Sequence, residues 1–120
     1  MLNLDTHILL FSLAGDLRPK EKHFLTKANW GISAIVLWEI SKLHQLGRIN
    51  IGLDDGELLS VLRNIEILPI SLDVCRCISE LDFKSDPADE IIAATSIAYG
   101  LPLLTRDEKI RQSKLVPFVK

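Results

Sequence analysis

Four acidic residues, Asp5, Glu39, Asp89 and Asp107, are spread along almost the whole of a 120-residue chain. Asp5 follows the apolar run Leu2-Asn3-Leu4, and Glu39 sits within Val36-Leu37-Trp38-Glu39-Ile40. Asp89 closes Asp86-Pro87-Ala88-Asp89, and Asp107 follows Leu103-Leu104-Thr105-Arg106. Carboxylates gathered in one cleft repel by several kcal/mol at short range, so a fold that collects them calls for a divalent cation. Hard oxygen donors suit Mg²⁺ or Mn²⁺, which keep several waters and bind phosphate alongside one or two protein ligands. Each acid also has an ordinary reading. Asp5 is placed to cap a helix starting near Thr6, and Glu39 to pair with Lys42 on a solvated face. Asp89 suits the positive end of a helix dipole, and Asp107 the first turn of a helix opened by a Thr105–Glu108 capping box. Spacing alone leaves both readings open.

The elements that must position these residues alternate. Met1 to Leu4 reads as a buried strand, followed by a helix through Leu13 that Gly15-Asp16 closes. Pro19 opens a polar helix through Lys27, and Trp30-Gly31-Ile32 is a second strand. Ser33 caps a helix from Ala34 to Leu46, stopped by Gly47. Asp54 or Asp55 caps another through about Arg63, Ile67 to Ile70 forms a third strand, and a helix runs from Leu72 to Leu81. Asp86-Pro87 is a strong helix start, with Asp as cap, and Gly100 then Pro102 a clear stop. Leu101 to Thr105 is a fourth strand, Asp107 to Gln112 a short helix, and Val116 to Val119 a fifth strand. Short apolar strands alternating with helices imply a parallel sheet covered on both faces. In such a sheet Asp5 and Asp107, each directly after a strand, belong at the carboxyl edge where sites form. Glu39 lies mid-helix among apolar neighbours, a costly place for a carboxylate that faces no cleft or partner.

Composition narrows the classes. The length and the 48% hydrophobic content suit one domain spanning residues 1–120 with one core. No apolar run reaches the length of a bilayer span, and no basic segment precedes the first apolar stretch, so the cytoplasm is the expected address. A net charge of −2 excludes coating nucleic acid by bulk charge and requires a local basic patch for any RNA contact. Lys20, Lys22, Lys42, Arg48, Lys109 and Arg111 are candidates for such a patch. Cys75 and Cys77 are too closely spaced for an ordinary disulfide and read as reduced packing residues.

Leu4-Asp5-Thr6-His7-Ile8-Leu9-Leu10, the Ser33 to Glu39 segment, Asp86-Pro87-Ala88-Asp89-Glu90-Ile91-Ile92-Ala93-Ala94-Thr95 and Leu104-Thr105-Arg106-Asp107 occur in that order. Over nearly its full length the chain resembles a PIN domain, specifically the short VapC-type ribonuclease toxins of toxin-antitoxin pairs. The resemblance implies a three-layer α/β/α Rossmann-like fold with a central parallel sheet of about five strands. It also implies Mg²⁺- or Mn²⁺-dependent cleavage of RNA, inhibition by a VapB-type antitoxin, and a homodimer. On matching positions, Asp5, Glu39, Asp89 and Asp107 become catalytic metal ligands, with Thr105 orienting ligands or metal-bound water. Asp86 falls in the same motif, but a capping role suffices for it, and His7 reads as packed on the first helix rather than as a base. One residue departs from the pattern: Glu90 stands where Arg is common, adding negative charge that Arg106 is nearest to offset.

Two other classes compete. A receiver domain shares the length and alternation, but it needs paired acids after the first strand, and the Asp54-Asp55 pair instead opens a helix. A catalytically silent PIN-like interaction module is the second, with Glu90 its one supporting feature. The apolar surfaces around Leu13, Leu25, Ile40 and Leu43 read either as a groove for a partner helix or as core.

Overall fold

The first strand, β1 (Leu2–Leu4), is buried at every position, as a strand covered on both faces must be. The computed structural model describes residues 1–120. Strands β2 (Trp30–Ser33), β3 (Glu66–Leu68) and β4 (Leu103–Leu104) join β1 in one parallel sheet of order β3-β2-β1-β4. Flanking it are α1 (Thr6–Ala14), α2 (Pro19–Thr26), α3 (Ala34–Gln45), α4 (Gly56–Leu62), α5 (Leu72–Ile78), α6 (Pro87–Tyr99) and α7 (Glu108–Arg111). The chain adds β2 and β3 on one side of β1, then returns to add β4 on the other. That reversal between β1 and β4 is the switch point where a parallel sheet opens a crevice. The order differs from the 2-1-3-4-5 of receiver-type sheets, which sets that reading aside.

Prolines trim the expected strands. The fifth strand is a single parallel bridge between Phe118 and Leu103, in which the Leu103 N–H donates to the Pro117 carbonyl at 2.8 Å. Pro117 has no N–H with which to continue a ladder, so four strands stand where about five were expected. Pro102 shortens β4 at its start, and Pro69 ends β3 at Leu68. Helix α5 stops at Ile78 instead of Leu81, where the Ser79 hydroxyl bonds back to the Arg76 carbonyl. Gly15 and Gly100 close α1 and α6 at φ 77° and 66°, the left-handed conformation that glycine adopts without steric cost.

One core of sixteen residues joins sheet and helices, including Leu4, Ile8, Leu9, Ile32, Ile40, Ile92 and Leu103. Leu25 and Ile40 belong to this core, and Leu13 and Leu43 pack half-buried against it, so none of them forms an open groove. Buried Asn3 fixes α6 on β1: its amide donates to the Ile92 carbonyl at 3.1 Å and to Ser96 Oγ at 2.9 Å. Asp89 lies one turn before this anchor. Cys75 is exposed and Cys77 half-buried, so at least Cys75 is not the packing residue expected. No helix is long and apolar enough to cross a membrane.

Candidate active site

Asp5 and Thr105 leave adjacent strands at the switch point. Asp5 is 4% exposed and caps α1, its Oδ1 accepting from the Thr6 N–H at 2.8 Å. Its other oxygen accepts from the Thr105 hydroxyl at 2.6 Å. The same hydroxyl accepts from the Asp107 N–H at 3.0 Å, so one side chain joins the ends of β1 and β4. Asp107 caps α7 through Oδ1, which accepts from the Ile110 N–H at 3.0 Å. The cap of α7 is therefore Asp107 itself rather than Thr105.

Glu39 and Asp89 are each held by a hydroxyl. Thr6 Oγ1 donates to Glu39, while Lys42 bonds to Gln45, so Glu39 faces α1 and not a surface lysine. Ser85 Oγ donates to Asp89 Oδ2 at 2.9 Å. Thr6 and Ser85 were not singled out as site residues in the sequence. A hydroxyl directly after the first acid, and another four residues before Asp89, were the available signals.

Electrostatics links the four acids. Desolvation at its half-buried position and, to a smaller extent, the negative charges of Asp5, Asp107 and Glu39 push the Asp89 carboxyl up to about 6, against the Ser85 hydrogen bond. Burial likewise raises Asp5, opposed by its bonds from Thr105 and Thr6 and by the nearby His7. The donor set is hard oxygen throughout, and its mutual repulsion is what a divalent cation would offset. No three His, Cys, Asp or Glu side chains form a ready-made cage.

The surroundings correct several expectations. Asp86 holds the cap position of α6 but makes no capping bond with its side chain, and it is exposed. Glu90 instead reaches back to accept the Ser85 N–H at 3.0 Å. Arg106 does not offset Glu90. It clamps Glu21 through two hydrogen bonds of 2.8 and 2.7 Å, donates to the Asp16 carbonyl, and lies 3.9 Å over the Phe11 ring. His7 is exposed rather than packed, its ring tilted 6.3 Å from that of Phe11. With Asp5, Phe11, Arg106 and Asp107 it lines a shallow cavity of about 230 Å³. The larger depression around Ser41, His44, Asp54 and Asp55 contains none of the four acids.

A parallel sheet with paired acids at its switch point and two more on flanking helices defines a class of α/β domain, and a family model identifies which. The PIN domain model matches residues 3–114, and the chain belongs to that family. Solved structures share the fold, three of them as follows. VapBC2 from Rickettsia felis, bound to a promoter DNA fragment, is 19% identical at a TM-score of 0.75, covering 99% of this chain and 98% of that one. FitAcB from Neisseria gonorrhoeae is 21% identical at 0.73, covering 99% and 97%. A toxin-antitoxin complex from Klebsiella pneumoniae is 24% identical at 0.69, covering 93% and 91%. No curated protein matches the chain.

Proposed function

We propose that the chain is a Mg²⁺- or Mn²⁺-dependent endoribonuclease, the toxin of a VapBC-like type II pair, held in check in the cytoplasm by a VapB-type antitoxin and working as a homodimer. The observation that carries the nuclease reading is the Asp5–Thr105–Asp107 connection, with Asp89 close enough to feel both acids and Glu39. The PIN family and the toxin-antitoxin complexes among the structural neighbours support the toxin and partner assignments.

Asp5, Glu39, Asp89 and Asp107 would hold the metal. Bound there, the ion would lower the pKa of a coordinated water, favouring its deprotonated, attacking form, and would place positive charge near the phosphoryl oxygens. Thr105 fixes Asp5 against the Asp107 backbone, so the carboxylates of two strand ends keep one relative placement. Thr6 and Ser85 do the same for Glu39 and Asp89. With the acids oriented in advance, little rearrangement accompanies the chemistry. No side-chain nucleophile is required.

Purified protein should cleave labelled RNA with Mg²⁺ or Mn²⁺ and stop in excess chelator, and Asp5→Asn should abolish both cleavage and growth arrest. Undiminished cleavage in chelator, or by the variant, would defeat the reading.

A further inference from the structure

A second cavity, of about 270 Å³, shares Arg106 with the one lined by Asp5 and Asp107. Arg106 lines both spaces, and Thr105, the partner of Asp5, lines the second. Arg18, Lys20 and Arg111 also line it, with Phe24, Leu104 and Val119 supplying apolar wall. The charges there do not cancel. Glu21 gives both carboxylate oxygens to Arg106, and its own charge is thereby matched. The chain's two ion pairs are Arg106–Glu21 and Arg76–Asp73, which leaves Arg18, Lys20 and Arg111 without a carboxylate partner. Glu108 is the one remaining acid in the lining. Arg111 donates a single hydrogen bond, to the Thr105 carbonyl at 3.2 Å, and retains further N–H donors.

A chain of net charge −2 whose acids repel a polyanion needs a local cationic site beside them to hold one. We propose that this cavity is a phosphate subsite for the RNA strand, taking a backbone phosphate next to the bond held over the acids. The proposal rests on the nuclease reading for its substrate. The cations are placed to position the strand, since phosphate contacts fix register and carry no base information.

The test is binding of a fluorescein-labelled single-stranded oligoribonucleotide to the full chain in chelator, followed by anisotropy across a salt series. The R18Q/K20Q double variant changes two exposed side chains that touch none of the four acids. It should bind roughly tenfold more weakly near 0.1 M salt and lose about 1.4 from the salt slope, at ~0.7 per phosphate contact in a single strand. A control double variant, K27Q/R63Q, changes exposed cations outside the cavity and should bind as wild type. Unchanged affinity and slope in R18Q/K20Q, an equal loss in the control, or no RNA binding by wild type would overturn the subsite. Absence of cleavage when Mn²⁺ is added, with the binding difference intact, would instead overturn the nuclease reading and leave the subsite standing.

Discussion

At Thr105 a single hydroxyl serves two acids, donating to Asp5 and accepting from the Asp107 backbone. Replacing it with valine leaves a buried carboxylate oxygen without its donor, a loss of about 1–3 kcal/mol. Thr105→Val should therefore melt earlier than wild type, Thr105→Ser should recover most of the difference, and equal melting of all three would show that the bond contributes nothing. Asp89 makes the opposite prediction. Its folded carboxyl is raised from 3.8 to about 6, so the native state binds the extra proton between those values and stability falls as pH rises through that window. The full shift corresponds to ~3 kcal/mol, reduced to about 1–2 kcal/mol because the group is half exposed to screening solvent. In metal-free buffer Asp89→Asn should thus stabilise the chain by that amount at pH 8 and hardly at all near pH 4. Denaturant titrations at both values would read it, and a variant no more stable at pH 8 would contradict the cost of burying this charge beside the other acids.

Among the elements, the turn between β4 and α7 is tied to the start of α2 by Arg106 and Glu21, whose side chains are 22% and 10% exposed. Arg106→Met strands a buried carboxylate and should cost about 2–4 kcal/mol, while E21M/R106M together should recover most of it. The Arg106 guanidinium holds the Glu21 carboxyl below its usual range, so the pair's contribution is present at neutral pH and disappears as pH falls through that lowered value. A variant whose deficit persists at pH 2 would separate packing from charge. The helix boundaries bearing on the site were legible because their signals are local: Ser33, Asp86-Pro87 and Gly100 each mark an end through their own backbone chemistry. What escaped was longer in range. That Arg106 would turn toward Glu21, 85 residues away, depends on placements set by tertiary packing that no spacing rule contains. The hydroxyls of Thr6 and Ser85 stand beside the acids in the sequence, but only the contacts show which acid each one holds.

For the molecule as a whole, the single sixteen-residue core implies one cooperative unfolding transition. Ile92, fully buried on α6, should cost about 2–5 kcal/mol as alanine and shift tryptophan fluorescence and circular dichroism together; separated transitions would mean that α6 melts independently. The reversal of strand order has a temporal side as well. Asp5 and Thr105 are one hydroxyl apart in space and 100 residues apart in the chain. A growing polypeptide carries Asp5 and Glu39 long before β4 exists, and Asp89 only shortly before it. The edge that joins Asp5 to Thr105 therefore forms only once β4 has been made, after the strands on its other side.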